Sequence, residues 1–151
     1  MAIQRISLRE YVRRRNGVPL GASGSMGNML RRSFGSGTFG GFWRYWNPIF
    51  GYGLGRYVYS PLQKFIPAWG ALVLTFVVCG MLHDLVSMMA GGKVAFLFTP
   101  WFFLLGCGVV LGDLVGADYS DRMFAIRVGV NLSYLSLCLV GALCIRTLVG
   151  L

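Results

Sequence analysis

The chain has 151 residues, 56% of them hydrophobic and only 13% charged, with a mean hydropathy of +0.64. A charged fraction so far below the roughly one quarter usual in soluble domains excludes an ordinary soluble fold and predicts an all-α integral membrane protein. The net charge of +9 does not point to nucleic acid. Ten of the fourteen Lys and Arg precede residue 65, which beside so much apolar sequence predicts attraction to anionic headgroups and a cytoplasmic N-terminus.

Residues 2–15, AIQRISLREYVRRR, place Ile3, Ile6, Leu8, Tyr11 and Val12 near one helical face with arginines around the rest. That pattern predicts a basic amphipathic helix lying in the membrane interface. The arginine-rich start holds no apolar core of signal-peptide length, so the first span is expected to direct its own insertion. From residue 16 to 41 Gly and Ser dominate around Arg31 and Arg32, which predicts a flexible connector completing an N-terminal arm of residues 1–41.

Residues 42–151 are expected to form the membrane domain. It opens with GFWRYWNPIFGYGLGRYVYSPL, where aromatic and basic residues alternate. Rings beside cations settle at headgroup depth, so 42–64 is predicted to be an amphipathic, re-entrant segment. Gly51, Gly53 and Gly55 do not make a phosphate loop, because no buried strand precedes them and no lysine–hydroxyl pair follows. Three apolar runs follow at about 67–89, 94–115 and 125–149, each near the roughly 20 residues that cross a hydrocarbon core of about 30 Å. With the basic arm inside, the loop around Lys93 is expected outside and the loop 117–122 inside. The second run carries Gly108, Gly112 and Gly116 four apart, a face for close helix approach, and beside them Asp113, expected at membrane depth.

The four cysteines, Cys79, Cys107, Cys138 and Cys144, lie in apolar runs without a CxxC pair. They are expected to be small buried hydrophobes, and nothing in the sequence suggests a metal site. The exception to apolar monotony is FVVCGMLHDLV, which sets His83, the only histidine, beside Asp84. Ionisable groups at membrane depth are costly enough to mark a functional site. A neutral imidazole there can act as general base on a hydroxyl or amine, and an asparagine amide, such as that of Asn47, can orient the base or donate to a developing oxyanion. Those parts suffice to move an acyl group from a thioester to a lipid-like acceptor without a covalent intermediate. A proton relay through His83, Asp84 and Asp113 is a further reading of the same residues.

FWRYWNPIFGYGLGRYVYSPL followed by FVVCGMLHDLV resembles the signature of the membrane-bound O-acyltransferase (MBOAT) family: an aromatic FWRxW stretch ending in Asn or His, a VYxPL-like continuation, and a later histidine. Asn47 and Asp84 place the likeness nearest the diacylglycerol and sterol acyltransferases and plant wax synthases. The resemblance covers 42–86 and implies Asn47 and His83 as active-site positions. It also implies an acyl-CoA or acyl-carrier thioester as donor, with no covalently bound cofactor, and Arg44, Arg56 and Lys64 as candidate ligands of its phosphates or, equally, as headgroup anchors. Pro48 and the glycines depart from the family's more helical continuation, and no tyrosine follows Asp84. Family members enclose their site with eight or more spans, so three spans imply a catalytic half whose chamber is closed by a second copy or a partner membrane subunit. The alternative is a non-catalytic accessory subunit of a larger membrane complex.

Overall fold

The computed structural model describes residues 6–91 and 96–150, and among these every regular element is helical. The expected loop around Lys93 and the expected position of Ile3 lie outside the described residues.

Helix α1 (Leu8–Asn16) starts where the Ser7 hydroxyl accepts the Glu10 N–H at 3.3 Å and stops at Gly17, whose φ of 83° suits glycine. Its apolar face is used inside the protein. Val12 and Tyr11 are buried, the Tyr11 ring lies 5.4 Å from that of Tyr52, and the Tyr52 hydroxyl donates to the Ile6 carbonyl at 3.0 Å. A helix resting its apolar face on lipid was expected; here that face covers helix α4 (Pro48–Leu54), and the exposed Arg9, Arg13 and Arg14 form its outer side.

The Gly/Ser-rich stretch is not a connector throughout. Ser25–Phe34 forms helix α2, tied back to α1 by the Asn16 amide, which donates to the Ser25 carbonyl at 3.1 Å and to its hydroxyl at 2.6 Å. Side-chain bonds to a helix start outweigh the unfavourable glycine composition.

Helix α3 (Phe39–Tyr45) follows, capped by the Thr38 hydroxyl on the Gly41 N–H. Phe39, Phe42 and Trp43 stand at i, i+3 and i+4, with Trp46 at i+7, so they share one face. That face enters the core: Phe39 and Phe42 are buried, and Phe39 stacks on Tyr134 at 4.5 Å. The aromatic alternation expected at headgroup depth is thus partly internal packing, with Arg44 left on the exposed side. After α4 come a π-helical turn (Gly55–Tyr59) and a short helix α5 (Ser60–Leu62).

Three apolar helices complete the chain: α6 (Ala68–Gly91), α7 (Phe98–Leu114) and α8 (Phe124–Val149). At 1.5 Å per residue α6 and α8 reach about 36 and 39 Å, and α7 about 26 Å. Two helices are therefore long and apolar enough to cross a membrane, while α7, at 17 residues, is shorter than the expected span.

The close approach of helices uses glycines other than the expected series. A Cβ on Gly80 would come within 2.6 Å of the Phe98 carbonyl and 2.7 Å of Thr99 Cα, and one on Gly106 within 3.2 Å of Val73 Cα. Gly80 and Gly106 thus let α6 and α7 touch. Gly108 and Gly112 face the rings of Phe39 and Tyr134 at ordinary contact distance, and Gly116 lies past the end of α7 with φ 63°. Spacing along one helix reports a small-residue face, but the partner decides which small residue is pressed. Asp113, expected at depth, is exposed near the end of α7. Cys144 is exposed as well, whereas Cys79 is buried.

Asn131 of α8 is fully buried and ties three segments together. Its Nδ2 donates to the carbonyls of Phe34 and Ser36, both at 3.0 Å, and its Oδ1 accepts the Tyr119 hydroxyl at 2.8 Å. Tyr119 also donates its N–H to the Gly37 carbonyl at 2.8 Å. The turn between α2 and α3 is thereby fastened to the loop between α7 and α8.

Candidate functional site: an apolar cavity between α4 and α6

The segment from α3 to the π turn lies against α6 and leaves a cavity of about 210 Å³, closed on one side by Phe102 of α7. Leu72, Thr75, Phe76, Cys79 and His83 line it from α6, at spacings that put them on one helical face. Asn47 and Phe50 line it from the opposite wall. The two residues singled out in the sequence, 36 positions apart, are thus brought to one cavity.

His83 is half-buried, and its Nδ1 lies 2.7 Å from the Cys79 carbonyl oxygen one turn earlier. A carbonyl only accepts, so Nδ1 carries the proton and, in the neutral ring, Nε2 holds the lone pair. Nε2 has no hydrogen-bond partner among the described residues. The ring is held by Phe102, stacked at 4.9 Å and 26°, with Phe98 at 5.5 Å and the edge of Phe50 at 5.9 Å. A fixed tautomer in an aromatic clamp is an oriented base.

Asn47 is the N-cap of α4. Its Oδ1 accepts the Phe50 N–H at 3.2 Å, and its backbone is left-handed with φ 39° and ψ 70°. Asparagine tolerates that conformation better than most residues, and Pro48 supplies the favoured first helical residue. The cap occupies the amide oxygen; the amide nitrogen has no acceptor among the described residues.

Asp84 does not join His83. Successive residues of a helix point about 100° apart, and the Asp84 carboxylate is buried against the start of α7, where Oδ1 accepts the N–H groups of Leu97 and Phe98 at 3.0 and 2.9 Å. Its Oδ2 accepts the N–H and the hydroxyl of Thr99 at 2.8 and 2.6 Å. It is an N-cap supplied from another helix, favoured by the positive end of the helix dipole. Asp113 stands at the opposite end of α7, so the two acids and His83 do not form a relay.

Arg44, Arg56 and Lys64 do not line the cavity. Arg44 and Lys64 are exposed, while Arg56 donates to the Tyr52 hydroxyl at 2.6 Å and lies over the rings of Tyr52 and Tyr57. Among the described residues no group of three or more His, Cys, Asp or Glu could hold a metal ion.

The chain matches no family model, no curated protein and no solved structure.

Two features of the cavity escaped the sequence reading. Trp43 lines it and keeps a buried indole N–H without a partner among the described residues; its place followed from the i, i+3, i+4 spacing of α3. Gly55 and Tyr59, the ends of the π turn, also line it. The Ser60 hydroxyl donates to the Gly55 carbonyl at 2.8 Å across that turn, and Pro61, lacking an N–H, cannot continue regular helical pairing. π turns often widen helices next to functional sites.

Proposed function

We propose that this protein is a membrane-embedded acyltransferase, or the catalytic half of one, that moves a fatty acyl group from a thioester donor to a hydroxyl acceptor. Membrane embedding is supported by α6 and α8, which have only 22% and 11% of their most apolar stretch buried within the chain. A core helix of a soluble protein would be mostly covered. In this reading α7 is a third, short crossing at the lower limit of about 17 residues. The exterior fits it: Met89, Leu137 and Leu148 are each more than two-thirds exposed.

The observation that carries the transfer reading is the convergence of Asn47 and His83 on one apolar cavity, with Nε2 of His83 left as the basic nitrogen. The acceptor oxygen attacks the thioester carbonyl while Nε2 takes its proton, and the amide N–H of Asn47 stabilises the oxyanion. The carbon–sulfur bond then breaks, and the imidazolium returns its proton to the departing thiolate, giving an ester and a free thiol. Exposed Arg44 and Lys64 remain available to donor phosphates or lipid headgroups.

At about 210 Å³ the cavity is smaller than the roughly 300–1,000 Å³ of small-molecule sites. A second copy or a partner membrane subunit then completes the chamber, as the MBOAT resemblance implies. The test is ester formation by the reconstituted protein from an acyl-CoA and a long-chain alcohol. His83→Ala is expected to lose at least a hundredfold in rate with unchanged melting; an unaltered rate in that variant overturns the reading.

The accessory-subunit reading is favoured by one observation: Asp84 is fully used as a helix cap, and the amide oxygen of Asn47 serves as another. It predicts stoichiometric co-purification with a larger partner and a defect of assembly, not of chemistry, in His83→Ala.

A further inference from the structure

A second cavity, of about 410 Å³, lies between α2 and the first turn of α8, away from His83. Arg31 and Arg32 line it from α2, Arg127 from α8, and Asn28 adds an amide. Among the described residues no acidic side chain lines it. Arg31 makes no side-chain hydrogen bond among the described residues. Arg127 lies over the Phe124 ring at 5.9 Å, and its buried Nε has no partner there. Arg32 is held in place, donating to the Arg15 carbonyl at 2.9 Å and lying over Tyr45 at 5.9 Å. Three guanidinium groups with no counter-charge are costly to gather, and each is a ready-made donor fork for phosphate oxygens.

The wall between them is shaped for closeness. A Cβ on Gly35 would stand 2.5 Å from the Phe124 ring and 2.7 Å from the Arg31 carbonyl oxygen, so glycine there lets the end of α2 press on the start of α8. Arg127 stands in the first turn of one of the two membrane-length helices. On the membrane reading, that is the depth of the headgroups. It is also the end where the turn after α2 meets the 117–122 loop, the side that the positive charge assigns to the cytoplasm with its anionic lipids.

We propose that this cavity binds the phosphate of an anionic lipid headgroup, clamped between Arg31 and Arg32 on one side and Arg127 on the other. The proposal rests on α6 and α8 spanning the membrane, but not on any catalytic role of His83. A lipid bound there joins the N-terminal helices to α8 through a shared counter-ion.

The test titrates the whole protein, purified in a neutral detergent, with dihexanoyl phosphatidylglycerol, dihexanoyl phosphatidylcholine or inorganic phosphate, reading the melting temperature. Phosphatidylglycerol is expected to raise it, with phosphatidylcholine and inorganic phosphate ineffective at the same concentration. Arg127→Gln and Arg31→Gln should each weaken the apparent affinity at least tenfold, while Arg13→Gln on exposed α1 leaves it unchanged. Because the side chain of Arg31 is exposed, that variant keeps the test valid even where Arg127→Gln fails to fold. An unaltered response in Arg31→Gln overturns the site, as does an equal response to phosphatidylcholine; an equal response to inorganic phosphate overturns the lipid as its source. Carbonate washing of membranes is scored in parallel: a protein retained in the membrane that binds no phosphatidylglycerol overturns the site alone, whereas a protein released by carbonate overturns the membrane reading and the lipid with it.

Discussion

Asp84 holds Thr99 twice, accepting its backbone N–H at 2.8 Å and its hydroxyl at 2.6 Å, so the acid next to His83 starts a helix instead of serving the histidine. Its other oxygen takes the N–H groups of Leu97 and Phe98. Removing a buried cap that satisfies this many donors costs roughly 2–3 kcal/mol. Asp84→Ala should therefore melt well below the parent, while His83→Ala melts close to it. Equal losses in the two variants would contradict the division of labour between them.

Asn47 allows its two duties to be separated. Asn47→Asp keeps an oxygen for the Phe50 N–H but replaces the amide nitrogen. If the amide donates to an oxyanion, this variant folds and loses about a hundredfold or more in rate. Asn47→Gly keeps the left-handed backbone and loses the cap, a change of a few tenths of a kcal/mol. Full transfer activity in both variants would leave Asn47 as a cap alone.

Gly80 and Gly129 provide a matched pair on two long helices. A Cβ on Gly80 meets backbone atoms of Phe98 and Thr99, whereas one on Gly129 meets nothing within 4 Å. Gly80→Ala should destabilise by about 1–3 kcal/mol through overpacking, and Gly129→Ala should be neutral or stabilising by up to about 1 kcal/mol. Thermal melting in detergent reads both.

Tyr119 carries a pH prediction. Burial, with Tyr134 and Asp118 adding to it, pushes its phenol from 10.0 up to about 12. The protonated form is the one that donates to Asn131. With the folded value raised, its contribution to stability is fully present below about pH 10 and is lost as pH rises from there through about 12. Tyr119→Phe leaves Asn131 Oδ1 unsatisfied, at a cost of about 1–2 kcal/mol. Ultraviolet titration of tyrosinate should show a late-ionising phenol that is missing from Tyr119→Phe.

The long elements were legible because hydropathy and helix length are local properties: the runs at 67–89 and 125–149 became α6 and α8 with one- or two-residue shifts. The pairing of Asn47 with His83 on one cavity was foreshadowed by their complementary chemistry and by the motif resemblance, since no periodicity links positions 36 apart. What stayed hidden depended on partners. α2 disappeared into a Gly/Ser composition because Asn16 and Asn131, which anchor its two ends, lie outside it. α7 begins at Phe98 because a side chain from α6 caps it there. The aromatic face of α3 was legible in its 39, 42, 43, 46 spacing, but the alternation with arginines suggested a lipid belt instead of a core.

The Asn131 clasp sets an order of assembly. The carbonyls of Phe34 and Ser36 receive their buried donors only from a residue made nearly a hundred positions later. During synthesis the N-terminal helices must wait for α8 before the turn between α2 and α3 can close. Since that turn leads into the helix carrying Trp43, one wall of the cavity is fastened only after α8 has been made, and a chain truncated before residue 131 would carry every residue that lines the cavity without the clasp that holds the turn before α3.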